Sequence, residues 1–284
     1  MPRFRSVLYV PASNDKAMAK AALLPADALI IDLEDAVAPE AKAEARLKAK
    51  AMLESGAFDG RKVILRVNGF EAGDHLAEDL ASLLPAAPYG VLFPKIRTPE
   101  DAASAERALD MQAAPHAITL WLMVETPQAL VHINAIAAQK TWANSRLTGL
   151  VLGTNDLAKE MRIPPTPSRL AFLHAFCATI LAAKAYDMIV LDGVYGDIRD
   201  QAGFEAEALQ AKGLGFDGKT LIHPGQIEAA NRIFAPSEAE ISEAKRIIAA
   251  FEAPENAGRG VLALDGVMVE RLHYESAKRL LEII

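Results

Sequence analysis

Along the chain, short runs of Val, Ile and Leu alternate with longer stretches rich in Ala, Glu and Lys. The runs are SVLYVP (6–11), ALIIDLED (28–35), VILRVN (63–68), VLFPK (91–95), TLWLMVE (119–125), LTGLVLGTND (147–156), MIVLDGV (188–194) and KTLIHP (219–224). They show little polar–apolar alternation, the pattern of strands buried on both faces of a parallel sheet. The stretches between them predict helices. Residues 38–56 have Pro39 near the start and Gly56 at the end, and 203–215 closes on glycines. Residues 98–112 and 126–139 both open Thr-Pro, an N-cap followed by a proline at the first helical position.

Eight strand–helix units predict an α/β fold, a (β/α)8 TIM barrel, which needs roughly 250 residues. An open doubly wound sheet is the alternative. The count of eight favours the barrel, and no G-x-G-x-x-G follows the first strand. Beyond Pro224 the pattern changes. Helices are expected over 224–234, over 235–252 with Ser237 as cap, and over 271–284, with a Gly-rich hairpin at 253–270. The expected division is therefore a catalytic barrel over 1–234 and a C-terminal lid or oligomerisation arm over 235–284.

Composition narrows the function classes. With 51% hydrophobic and 24% charged residues, the 284-residue chain reads as an ordinary globular protein. A net charge of -7 argues against a general nucleic-acid binder. No apolar run approaches the roughly 20 residues of a membrane span. The run Val7–Val10 is shorter than the core of a signal peptide, so a strand and a cytoplasmic protein are expected. The lone Cys177 excludes an intramolecular disulfide, and its apolar helical context predicts an inert core thiol.

In a barrel of this type, chemistry gathers at the C-terminal ends of the strands. Those ends carry Asp32, Glu34 and Asp35, then Arg66 and Asn68, Lys95, Glu125, Asn155 and Asp156, Asp192, and His223. Glu125 and Asp156 come from neighbouring strands and suit a hard cation such as Mg2+, which is held by one or two carboxylates plus water and substrate oxygens. Each also has a bland reading as the cap of the helix that follows. Arg66 can clamp a carboxylate or stabilise an enolate oxygen. Asp32, Glu34 and Asp35 are expected in support, paired with nearby Lys or Arg. His223 is as compatible with a structural role as with a functional one.

Several segments then occur in order from residue 5 to 270: RSVLYVPASNDKAMAKA, ADALIIDLEDAVAPEAKAEAR, RVN, PKI, ETPQAL, GTNDLA, LDGVYGDIRDQAGFEAEALQAKGLGFDGKTLIHPGQI and LDGVMVE. With them the chain resembles the HpcH/HpaI aldolase superfamily, in its citrate lyase beta-subunit-like branch of citryl-CoA, malyl-CoA and citramalyl-CoA lyases. The resemblance implies Mg2+ on Glu125 and Asp156, and Arg66 on the substrate carboxylate or oxyanion. It implies coenzyme A contacts at Tyr9, Lys16, Lys20, Ile222 and His223. By residue pattern alone, Lys16 and Lys20 would be a solvated helix face.

The implied reaction is a retro-aldol cleavage of a short 3-hydroxyacyl-CoA to acetyl- or propionyl-CoA and a 2-oxo acid. The implied assembly is a homotrimer or hexamer whose lid reaches a neighbouring subunit. In the branch a lid motif G-x-M-[IV]-D supplies the acid/base carboxylate. Here it reads Gly266, Val267, Met268, Val269, Glu270, with Glu in place of Asp and Asp265 as a spare just upstream. That departure keeps two alternatives open: a malyl-CoA-type thioesterase on the same scaffold, or the beta subunit of a multi-subunit citrate lyase.

Overall fold

Strand residues i and i+2 share a face, and that alternation decides what the interior of this protein holds. The computed structural model describes residues 3–164 and 168–282. Eight parallel strands close into a barrel in chain order: β1 (Ser6–Pro11), β2 (Ala28–Asp32), β3 (Lys62–Arg66), β4 (Gly90–Phe93), β5 (Thr119–Val124), β6 (Leu147–Leu152), β7 (Ile189–Asp192) and β8 (Gly218–Leu221). Closure is explicit, because β1 pairs with both β2 and β8. The predicted barrel is therefore observed, and the open sheet is not.

Helices α1 (Asp15–Ala22), α2 (Lys42–Glu54), α3 (His75–Leu83), α4 (Pro99–Met111), α5 (Pro127–Ala138), α6 (Thr154–Met161), α7 (Leu173–Ala185), α8 (Gln201–Leu214) and α9 (Ile227–Phe234) follow the strands, two of them between β6 and β7. Local chemistry sets their starts. Thr98 accepts from the Asp101 N–H at 3.2 Å while Asp101 accepts from the Thr98 N–H, a reciprocal cap that begins α4 with Pro99. Thr126 caps α5 in the same Thr-Pro manner.

The barrel interior is one cluster that includes Phe4, Val7, Ile30, Ile64, Leu92, Trp121, Met123, Val151 and Leu191. Its largest member, Trp121, is fully buried. Gly149 lies opposite Trp121 in the β5–β6 ladder, and a Cβ there would sit 2.2 Å from the indole ring. At the closing seam a Cβ on Gly218 would lie 1.9 Å from the Phe4 carbonyl oxygen.

The chain divides into two compact units, Phe4–Arg232 and a second made of Met1–Arg3 and Ile233–Ile284. In the second, Ser237 and Glu240 form a capping box on α10 (Glu238–Glu252). Strands β9 (Val261–Leu264) and β10 (Val267–Glu270) pair antiparallel. Their turn residues Asp265 and Gly266 have φ of 50° and 80°, the backbone a two-residue hairpin needs. Helix α11 (Arg271–Glu282) follows, and Phe251, Leu262 and Val269 form the core of this unit. The expected hairpin and helices are thus present, the last two positions of the helix expected over 271–284 lying outside the described residues.

One expectation is corrected. Cys177 is exposed, not a core thiol. Helix α7 buries Ala175, Phe176, Thr179 and Ile180, and one residue past Phe176 the chain has turned about 100° round the helix, toward solvent. No described helix is long and apolar enough to cross a membrane.

The seam gives a stability prediction. Gly218→Ala should cost about 1–3 kcal/mol or more, because the obstructing atoms are backbone. Gly213→Ala, on α8 with nothing within 4 Å of its Cβ position, should instead gain roughly 0.5–1 kcal/mol. Urea denaturation of both variants checks the pair, and equal midpoints would contradict it.

Candidate active site

The strand parity that points Ile30, Ile64 and Met123 into the core also points Asp32, Arg66 and Glu125 inward, two residues on. In the β2–β3 ladder Asp32 is the register partner of Arg66. Arg66 Nε donates to Asp32 Oδ1 at 2.7 Å and Nη2 to Oδ2 at 2.6 Å, a two-pronged bond between buried groups. Asp32 also accepts the backbone N–H groups of Glu34 (2.9 Å) and Ala36 (3.2 Å), which shapes the loop after β2. Burial works against the Arg66 charge. The surrounding Tyr9, Asp32 and Glu34 more than offset it and hold the guanidinium well above its ordinary range. The Tyr9 ring lies 5.0 Å beneath it, and burial pushes the phenol up.

The support expected of Glu34 and Asp35 is also seen. Lys95 Nζ bonds the Glu34 carboxylate and lies 3.3 Å from Asp35 Oδ1. Arg66 Nη1 sits 3.1 Å from Glu34 Oε2 and 3.5 Å from Asp35 Oδ2. Burial raises the Glu34 carboxyl above its usual range, against the opposing pull of Arg66 and Lys95.

Glu125 is 1% exposed. Its Oε1 accepts the Lys95 backbone N–H at 2.7 Å. Lys95 provides that N–H from a left-handed conformation with φ of 53°, uncommon outside glycine. Glu125 Oε2 has no protein donor among the described residues. Beside it, a Cβ on Gly153 would fall 2.4 Å from Oε2, so the glycine keeps that space open. Burial raises the Glu125 carboxyl to about 7, opposed by the Lys95 N–H and Arg66 and reinforced by Glu34 and Asp156.

The cap readings of both acids fail. Thr126 caps α5, and Asp156 lies inside the first turn of α6, whose N-cap is Gly153. Among the described residues no three His, Cys, Asp or Glu side chains gather in metal-binding range. Asp156 instead adds to the cost of ionising Glu125, and among the described residues neither acid has an ion-pair partner. Two unneutralised carboxylates at a cavity suit one hard cation completed by water or ligand oxygens.

That cavity, of about 550 Å3, is lined by Tyr9, Asp32, Arg66, Glu125, Asp156 and Ile222 among others. Of the residues expected to bind metal or substrate, Tyr9, Arg66, Glu125, Asp156 and Ile222 therefore meet in one space, with Asp32, Asp35 and Asn155 beside them. Lys16, Lys20, His223 and Glu270 are not among its lining residues. Lys16 and Lys20 are exposed, one turn apart on α1. The exposed His223 accepts the Gly225 N–H on Nδ1 at 3.1 Å and caps the short turn Pro224–Gln226. Glu270 ends β10 in the second unit, where its backbone N–H donates to His273 Nδ1 at 2.8 Å.

Asp192, counted among the groups at the strand ends, belongs to a different layer. It is fully buried, 2.7 Å from Lys219 Nζ, its ladder partner, and bonded to Arg169. Odd-numbered β7 residues face the core, so Asp192 faces the helices. Asn68 donates to Asp79 of α3 at 2.7 Å. The residue whose role sequence reading missed is Lys95. Its one signal was a lysine directly after a proline at a strand end.

The family model described as HpcH/HpaI aldolase/citrate lyase matches residues 5–224. A (3S)-malyl-CoA thioesterase of Cereibacter sphaeroides is 44% identical over 281 residues, 98% of this chain and 93% of the relative. Citrate lyase subunit beta of Escherichia coli is 34% identical over 271 residues, 94% and 88% of the two chains. Among solved structures, protein CitE from Mycobacterium tuberculosis in complex with magnesium, acetoacetate and coenzyme A superposes with a TM-score of 0.75 at 29% identity, covering 98% of this chain and 96% of that one.

The raised Glu125 carboxyl has a consequence for metal-free protein. Between its ordinary value of 4.5 and about 7 the folded chain keeps a proton that the unfolded chain has released. Stability therefore falls as pH rises through that window, and Glu125→Gln removes this contribution. The variant's stability relative to wild type should rise by up to about 3 kcal/mol between pH 5 and pH 8 without divalent cations. Urea midpoints at the two pH values check it, and a difference flat with pH would refute it.

Proposed function

Because the chain belongs to the HpcH/HpaI aldolase/citrate lyase family, we propose that it is a Mg2+-dependent carbon–carbon lyase. Its substrate is a short 3-hydroxyacyl-CoA of the malyl- or citramalyl-CoA kind, and its products are acetyl- or propionyl-CoA and a 2-oxo acid. The observation that carries this reading is the unpaired couple Glu125 and Asp156 sharing a cavity with a charged, oriented Arg66.

Glu125 and Asp156 are the residues to hold Mg2+, which when bound supplies Lewis-acid polarisation of the 2-oxo acid oxygens. Arg66 takes the acid's carboxylate through Nη1, since Nε and Nη2 are committed to Asp32. The Tyr9 ring beneath the guanidinium fixes its plane. Cleavage removes the proton of the 3-hydroxyl, breaks the carbon–carbon bond and leaves an acyl-CoA enolate to be protonated. Glu270 is the acid/base proposed for the enolate carbon, supplied by the C-terminal unit of a neighbouring copy in a homotrimer or hexamer. Lys16 and Lys20, one turn apart, meet the phosphates of coenzyme A, with Ile222 and His223 beside the thioester arm. The bound magnesium, acetoacetate and coenzyme A of the CitE neighbour support this ligand set.

A second reading is a malyl-CoA-type thioesterase, favoured by the 44% identical relative and by Glu270 standing where the branch carries Asp. Hydrolysis and cleavage share substrate and binding residues and differ in which bond breaks.

Incubation with malyl-, citramalyl-, beta-methylmalyl- and citryl-CoA, with and without Mg2+, separates the two. A 2-oxo acid product marks the lyase, whereas free hydroxy acid with coenzyme A marks the thioesterase. No Mg2+-dependent turnover of any of them would sink both readings. Glu125→Gln and Asp156→Asn should each abolish that turnover while thermal unfolding stays cooperative, and full activity in either would refute the metal assignment. Lys16→Ala combined with Lys20→Ala should raise KM for the thioester about tenfold with kcat little changed. Glu270→Ala should lower kcat by about 100-fold or more, and wild-type kinetics would move the acid/base elsewhere.

A further inference from the structure

The mouth cluster has an uneven charge balance. Three carboxylates, Asp32, Glu34 and Asp35, surround two cations, Arg66 and Lys95. Asp32 is satisfied by two guanidinium nitrogens and two backbone N–H groups. Glu34 is buried, so its charge needs a partner close by. Lys95 holds its Oε1, while Oε2 makes no hydrogen bond among the described residues and lies 3.1 Å from Arg66 Nη1 without the alignment of a bond. Nη1 is thus the one guanidinium nitrogen not hydrogen-bonded to an acid. Its other neighbours are Asp35 Oδ2 at 3.5 Å and Met123 Sδ at 3.7 Å.

We propose that Lys95 is a positioning residue that keeps Arg66 available to substrate: by holding Glu34, its ammonium stops that carboxylate, 3.1 Å away, from turning into an aligned hydrogen bond with Nη1. The inference rests on the role given to Arg66 above and adds a residue that acts through two others. Its site also explains a backbone cost. Lys95 adopts a left-handed φ of 53°, and that turn sends its N–H to Glu125 and its side chain to Glu34. One residue thereby touches both the acid proposed for the metal and the acid that competes for the arginine. Asp35, its third partner, lines both the cavity described above and a neighbouring one of about 600 Å3. The Lys95 cluster therefore stands between the two spaces.

Lys95→Met is the discriminating variant. Met is unbranched like Lys, so it meets the same backbone demand and keeps the N–H on Glu125. In full-length Mg2+-loaded protein, calorimetric binding of pyruvate should weaken about tenfold, while Mg2+ affinity alone is unchanged. Lys95→Arg, which retains the charge, should bind as wild type does. Adding Glu34→Gln to Lys95→Met should restore binding to within about threefold of wild type, because the competing carboxylate is gone. A simple clamp on the loop would be damaged further by the second change.

The idea is overturned if the single variant binds normally or if the double variant is no better than the single. A crystal structure of Lys95→Met provides a readout that needs no ligand. Arg66 Nη1 and Glu34 should form an aligned hydrogen bond, and an Arg66 left as it stands now would also overturn it. If wild type binds no 2-oxo acid, the proposed function fails, and the crystal structure still decides the role of Lys95.

Discussion

The buried Asp32–Arg66 pair is the interaction around which this site is organised. Two charges inside a barrel mouth are tolerated only with good geometry and with their remaining lone pairs and protons satisfied. The parallel register provides the geometry by setting Asp32 directly opposite Arg66. The loop after β2 provides the rest, turning two backbone N–H groups onto the same carboxylate. That loop carries Glu34 and Asp35, so one carboxylate orients the arginine and shapes the segment that surrounds it. Removing either partner would leave an uncompensated buried charge, which explains why the two work as a unit.

The other half of the site depends on space. Trp121 of β5 and Glu125, just past its end, project inward, and each meets a glycine, Gly149 in β6 and Gly153 just past its end. A side chain at Gly149 would displace the largest residue in the core. One at Gly153 would occupy the free oxygen of Glu125. The same alternation that packs the barrel therefore leaves an acid desolvated, unpaired and facing a cavity. Its carboxyl is raised by that desolvation, and an ion that bound there would relieve the cost.

Much of this was legible in the residues. The apolar run 6–11 is β1 residue for residue, and Thr98-Pro99 and Thr126-Pro127 begin their helices where capping chemistry requires. Tyr9, Arg66, Glu125, Asp156 and Ile222 were picked out by position or resemblance and meet in one cavity. Other inferences were weaker because strand ends look alike in sequence. Asp192 and Glu125 both close an apolar run, yet one faces helices and Lys219 while the other faces the interior. Cys177 sits in an apolar segment, yet only one stripe of α7 is covered.

The order and kind of the elements follow from the residues alone, because propensity, caps and apolar periodicity act over a few neighbouring residues. Which strand-end residues share a cavity depends on closure of the barrel. That sorting follows from parity and register around a closed sheet, where a shift of one residue sends a side chain to the opposite face. Tertiary structure likewise decides the part of Lys95. The lysine is unremarkable between Pro94 and Ile96. Its meaning comes from a left-handed backbone that brings Glu125, 30 residues away, and Glu34, 61 residues away, to the same residue.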